Sequence, residues 1–163
     1  MLTNVKLWLC KTFSMKDLGE STYILGIQVY RDRLKRMIGL SQSLYLEKVL
    51  KRFNMLDSNR GLLPFRHGIH LSKGMPLKTP EEMEQMAKVP YTSAIGSLIY
   101  AILCTRPDIA YAISVTSRFQ SNLDLKHWIV VKVIFKYLRR TKDLILTYGG
   151  GDLQIYGFID SDF

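Results

Sequence analysis

Apolar positions recur at three- and four-residue spacings from Tyr91 to Lys142, and the rest of the chain is organised around this stretch. Tyr91, Ile95, Leu98 and Ile102 predict a first amphipathic helix. Its other side carries Ser93, Gly96, Ser97 and Ala101, small enough to let another element approach. Thr105 and Asp108 have the spacing of a capping box, with Pro107 where a first helical turn tolerates it. A second helix is expected to bury Ile109, Ala112, Ile113 and Thr116. A third, starting near Asp124, repeats at Trp128, Val131, Phe135 and Leu138, with Lys132, Lys136, Arg139 and Arg140 along its outer side.

Before this block the periodicity changes. Residues 2–13 predict a helix with Leu2, Val5 and Leu9 inward. After a loop with Gly19, residues 22–31 alternate as a strand, and Gly26 within it points to a bulge or a close backbone neighbour. Asp32–Arg36 reads as a charged turn and Met37–Gln42 as the returning strand. Ser41 or Ser43 is placed to cap a helix reaching Phe53, with Leu46, Val49, Leu50 and Phe53 buried and Lys48, Lys51 and Arg52 opposite. Periodicity is lost from Asn54 to Lys78 and resumes as a short helix from Pro80, with Thr79 and Glu82 as a capping box. Residues 144–148 and 154–160 read as strands around Gly149–Asp152. The expected class is α+β. Its parts are a hairpin with flanking helices (1–42), a helical bundle (43–142) and the first hairpin of a new sheet (143–163), with the boundary near Thr141–Asp143.

Charge sharpens this picture. The 163 residues carry a net charge of +9. Between Arg106 and Lys142 eight Lys or Arg face two Asp, so six of those nine charges fall in one helical block. Such a surface attracts phosphate backbones, and it is equally compatible with a solvated helix face. The hairpin tip adds Arg31, Arg33, Lys35 and Arg36 against Asp32. Cys10 and Cys104 lie in apolar helical patterns and are expected as core thiols rather than a disulfide, in keeping with an intracellular setting. No signal-peptide pattern is visible, and no apolar run is long enough for a membrane span.

Candidate chemistry is sparse. Asp160 and Asp162, two apart on a strand, face the same way and could share a divalent cation, as two-metal nucleases require, or be exposed aspartates at a strand end. His67 and His70 lie in the irregular connection without a third ligand nearby, and His127 is expected beside the core. No nucleophile–base signature or phosphate loop occurs, and no two of the nine aspartates are adjacent.

Five blocks carry a resemblance: FSMKDLGESTYILGIQVYRD (13–32), IGLSQSLYLEKVLKRFNM (38–55), VPYTSAIGSLIYAILCTRPDIAYAISVTSRF (89–119), HWIVVKVIFKYLRRTKDLILTY (127–148) and the terminal YGFIDSDF. In this order they resemble the pol polyprotein of copia-type retrotransposons, in the second half of the reverse transcriptase running into the start of ribonuclease H. The resemblance implies that the hairpin at 31–42 is similar to the primer grip at the palm's end. It implies that residues 43–142 are thumb and connection helices holding an RNA/DNA template–primer duplex. Asp160 then matches the first metal-binding aspartate of ribonuclease H. The family uses Mg2+, while no cofactor is expected in this stretch alone. The family's polymerase aspartates form an Asp-Asp turn that would precede Met1, and the rest of the ribonuclease H site would follow Phe163. The abrupt ends read as an excerpt of a longer polyprotein, its remainder being an implied partner. The chain alone is expected to polymerise nothing and cut nothing. The implied nucleic-acid-binding residues are Arg31, Arg33, Lys35, Arg36, Lys48, Lys51, Arg52, Lys132, Lys136, Arg139 and Arg140. The competing expectations are a non-catalytic helical interaction module and an unstable relic.

Overall fold

Apolar side chains at positions 46, 49, 50 and 53 line one side of a helix, and the computed structural model forms it as Ser43–Arg52. The structure describes residues 2–69, 71, 80–119 and 123–149. In chain order the elements are α1 (Leu2–Thr12), β1 (Tyr23–Ile24), β2 (Ile27–Asp32), β3 (Met37–Ser41), α2 (Ser43–Arg52), α3 (Pro80–Ala87), α4 (Tyr91–Cys104), a 3-10 turn (Pro107–Ile109), α5 (Ala110–Ser117), α6 (Leu125–Thr141) and β4 (Leu146–Gly149).

The core is helical. Leu46, Leu50, Tyr91, Ile95, Leu98, Ile109, Ile134, Phe135 and Leu138 are almost wholly buried against one another, drawing together α2, α4, the 3-10 turn and α6. Truncating a side chain of this kind to Ala costs about 2–5 kcal/mol. Tyr91 keeps its hydroxyl satisfied by donating to the Thr116 carbonyl at 2.9 Å. Burial pushes that phenol up to about 12. Tyr45 ties α2 to α4 by donating to the Ser97 carbonyl at 2.9 Å.

The four strands among the described residues form one antiparallel sheet in the order β1-β2-β3-β4. The expected strand 22–31 is interrupted. Leu25 and Gly26 both take positive φ, 50° and 80°, so the chain reverses there and Ile24 pairs with Ile27. Two successive positive-φ residues make the tight turn whose twist suits a two-residue hairpin. The alternation ran on through that turn, which hid it. Strand β4 pairs with β3, Leu146 opposite Leu40 and Gly149 opposite Met37. Its expected hairpin partner, 154–160, lies outside the described residues.

Several burial expectations change. Helix α1 forms, but Val5 is exposed and Leu9 only half-buried, because no described element covers that face. Cys10 is exposed and Cys104 half-buried, so neither is a core thiol. Ala101 of α4 is in the core instead of on the side opposite it with Ser93, Gly96 and Ser97, and Gly96 faces open space. Thr105 and Asp108 do not cap a helix. Thr105 donates to Gln42 Oε1 at 2.7 Å, and Asp108 pairs with Arg106, a stronger charged partner than an orphan backbone N–H.

Candidate nucleic-acid interface

Helix α6 carries the longest row of candidate side chains. It begins at a capping box in which Asp124 N–H donates to His127 Nδ1 at 3.0 Å. That bond fixes the neutral tautomer of His127, with its proton on the buried Nε2, which has no hydrogen-bond partner among the described residues. Burial lowers the pKa of His127, against the opposing pull of Asp124. His127, Val130, Val131, Ile134, Phe135 and Leu138 fill the buried arc. Lys132, Lys136, Arg139 and Arg140 fall on the opposite arc, as helical spacing dictates. Lys132 and Arg140 are exposed, while Lys136 and Arg139 are half-buried. Lys132 Nζ lies 5.7 Å from the Trp128 ring, so its aliphatic stem has support while its charge stays in water. Arg139 and Arg140 also complement the negative end of the α6 dipole.

Helix α2 runs antiparallel beside α6. Phe53 stacks on Phe135 at 5.1 Å at one end, and Lys142 bonds Glu47 at 3.3 Å at the other. Lys48, Lys51 and Arg52 are exposed on α2. Lys51 stands one turn beyond Glu47, and Arg139 one turn before Lys142. The seam between the two helices is therefore flanked by cations from both. None of Lys48, Lys51, Arg52, Lys132, Lys136, Arg139 and Arg140 has an ion-pair partner among the described residues.

The hairpin cations form a separate group. Asp32 Oδ1 accepts from the N–H groups of Leu34 and Lys35, both at 3.0 Å, and shapes the turn that presents Arg31, Arg33, Lys35 and Arg36. All four are exposed. Arg33 is already paired with Glu20, and Lys35 lies 3.9 Å from Asp32. The sheet touches the bundle at the other end of β2, where Tyr100 donates to the Leu25 carbonyl at 2.6 Å. The tip therefore stands about one strand length, roughly 20 Å, from that contact.

Arg106 leaves the cationic surface altogether. It is 2% exposed, with its guanidinium on Asp108 and on the carbonyl and hydroxyl of Thr141. One of the eight cations in the basic block is thus an internal tie between the 3-10 turn and the end of α6. Pattern reading also passed over the loop after α2. Gly61 N–H donates to the Lys136 carbonyl at 2.8 Å, which lays this loop against α6 and brings Arg60 and Arg66 beside Lys136. The only sequence signal was two arginines in a segment without periodicity.

No group of three or more His, Cys, Asp or Glu side chains able to hold a metal occurs among the described residues. His67 is exposed, and His70, Asp160 and Asp162 lie outside the described residues. No helix among the described residues is long and apolar enough to cross a membrane.

The chain is similar to curated proteins over nearly its whole length. It is 47% identical to the retrovirus-related Pol polyprotein from transposon TNT 1-94 of Nicotiana tabacum, over 99% of this chain and 12% of that protein. It is 32% identical to the corresponding polyprotein from transposon RE1 of Arabidopsis thaliana, over 95% of this chain and 10% of that one. It is also 32% identical to an uncharacterized mitochondrial protein of Arabidopsis thaliana, over 95% of this chain and 61% of that protein. The chain therefore spans about a tenth of the polyproteins it matches. No family model matches, and no solved structure does.

Proposed function

Because this chain belongs to the retrovirus-related Pol polyproteins of copia-type transposons, as a homologue of one segment of them, we propose that it binds the sugar–phosphate backbone of a template–primer duplex. In this reading it corresponds to the second half of the reverse transcriptase, from the end of the palm through the thumb and connection helices into the start of ribonuclease H. The observation that carries the proposal is the pair of antiparallel helices α2 and α6. They present seven cations with no ion-pair partner among the described residues on the sides away from the core, with Lys51 and Arg139 beside the seam, while their apolar arcs face the core. Cations on rigid helices contact phosphates and fix register without reading bases. Lys142, held by Glu47, trims the cation row at one end of the seam.

The test is a salt titration of binding to a short RNA/DNA hybrid. If the four α6 cations each neutralise one phosphate, the log–log slope is about −3.6, and affinity falls about 150-fold between 50 and 200 mM salt. Reversing Lys132, Lys136, Arg139 and Arg140 to Glu should abolish binding while the far-UV spectrum and unfolding midpoint stay near those of the parent, because none lies on the buried arc. A flat salt response in the parent chain would favour a helical module that docks a protein and would end the backbone-binding reading.

A further inference from the structure

The loop after α2 and the faces of α5 and α6 beneath it enclose two adjoining cavities. The first, of about 490 Å3, is lined by Arg60, Gly61, Arg66 and Lys136 and, among the described residues, by no acidic one. Its floor is set by close backbone approach. A Cβ on Gly61 would lie 2.9 Å from Tyr137 N and 3.1 Å from Lys136 C, so only glycine lets the loop sit this low on α6. The second cavity, of about 500 Å3, is lined by Phe65, Arg66, His67, Tyr111 and Asp108. Phe65 and Tyr111 meet edge to face at 5.7 Å. Phe65 is packed against the core and is thereby fixed, whereas Tyr111 is 70% exposed. Asp108 is the one acid at this site among the described residues, and its charge is answered by Arg106 at 2.7 Å. Arg66 lines both cavities.

Three cations lining a cavity with no acid among its described residues, next to an exposed aromatic on a rigid support, match the two halves of a nucleotide in an unpaired strand. Phosphates take the cationic compartment. An unstacked base takes the aromatic one, because every base presents a π-face. A duplex cannot use the second compartment, since its bases are stacked and paired. We propose that the loop of residues 59–69 and the surfaces of α5 and α6 form a single-strand nucleic-acid site, with Arg60, Arg66 and Lys136 holding a phosphate and Tyr111 stacking a base. This rests on the proposed function only for the class of ligand. It shares Lys136 with the cation row of α6 but otherwise uses a different surface from the α2–α6 seam, and a different state of the strand.

The experiment compares binding of the whole chain to a fluorescent deoxythymidine oligomer, to the same oligomer made abasic, and to an RNA/DNA hybrid. The parent should bind the oligomer more tightly than its abasic form. Tyr111→Ala should weaken oligomer binding about tenfold and leave the abasic and hybrid affinities unchanged. Tyr111→Phe should restore it, since a ring and not the hydroxyl is required. Arg66→Gln should weaken both oligomers and lower the salt slope. Equal affinity of the parent for the normal and abasic oligomers, or no effect of Tyr111→Ala, overturns the single-strand site even if the hybrid still binds. Conversely, oligomer binding that follows Tyr111 with no hybrid binding would sustain this site and defeat the duplex reading.

Discussion

Replacing Arg106 with Ala should cost about 3 kcal/mol, at the lower end of the range for breaking a buried ion pair. Arg106 makes four hydrogen bonds. Nε and one terminal nitrogen donate to the two Asp108 oxygens at 3.0 and 2.7 Å. The terminal nitrogens also reach the Thr141 carbonyl at 3.0 Å and its hydroxyl at 2.6 Å. The side chain lies 5.6 Å from the Tyr137 ring as well. Valued singly at about 1.5–3 kcal/mol each, these bonds would overshoot, because they share one group and are not additive. Two facts set the lower figure. The Asp108 side chain is 36% exposed and keeps a 2.8 Å bond from Tyr137, so it rehydrates when its partner goes. The Thr141 carbonyl, near the end of α6, keeps the Leu144 N–H as a donor at 3.1 Å, so losing Arg106 does not leave it orphaned. For a chain of this size the loss corresponds to a fall of about 6–12 °C in Tm. Urea unfolding followed by circular dichroism gives the free energy directly, with an unchanged m-value if only stability moved. Arg106→Lys should fall between parent and Ala, because an ammonium keeps the charge and gives up the bidentate fork. An Ala variant within 1 kcal/mol of the parent would show that this tie does not hold the 3-10 turn to α6.

Gly61→Ala must lift the loop from α6, since the atoms its Cβ would strike belong to helix backbone. Overpacking of this kind costs about 1–3 kcal/mol, partly offset by about 0.4–1 kcal/mol from a stiffer unfolded chain, so urea unfolding should show a net loss of about 1–2 kcal/mol. Acid should probe Asp108. Burial pushes its pKa up, but hydrogen bonds from Arg106 and Tyr137 and the charge of Arg106 outweigh burial, so the folded value lies below 3.8. A depressed carboxylate contributes stability that is complete above 3.8 and lost as pH falls through the folded value. Asp108→Asn should therefore lower the urea midpoint at neutral pH and flatten its decline below pH 3.8. A variant that declines like the parent contradicts that assignment. On the binding surface, changing one of Lys132 or Arg140 to Gln should make the log–log salt slope shallower by about 0.9, whichever sequence is bound. A sequence-dependent effect would mean that the residue reads bases.

The helical bundle was legible because its signal is local and repeated. The buried arcs of α2 and α6 lie on the 3.6-residue period, and burial followed period almost residue for residue. Where sequence reading failed, a partner far along the chain had decided the outcome. Thr105 bonds Gln42, 63 residues away, in place of a plausible local cap, and Arg106 bonds Thr141, 35 residues away, in place of a surface position in the basic block. The Leu25–Gly26 reversal was masked because alternation survives a two-residue turn. The cations on α2 and α6 were legible from their offsets. Arg60 and Arg66 were not, because their placement depends on a single backbone bond between Gly61 and Lys136.

Helix α6 divides its circumference into three kinds of surface, and that division makes the proposed interface testable. One arc is apolar and closes the core. A second carries Lys132, Lys136, Arg139 and Arg140. A third, between them, is claimed by backbone and polar ties, with the loop on the Lys136 carbonyl and Asp108 on the Tyr137 hydroxyl. Because Lys136 bonds the loop through its carbonyl, replacing its side chain leaves that bond intact. Charge can therefore be removed from the second arc without disturbing the other two. Phe135→Ala behaves differently. It removes a ring stacked on Phe53, and with it the packing that sets α2 beside α6. If the interface is the seam between these helices, binding must fail in Phe135→Ala together with α2–α6 packing, and fail in the charge variants while packing is retained. A surface made only of dispersed, independent lysines and arginines would lose binding in the second case and not in the first.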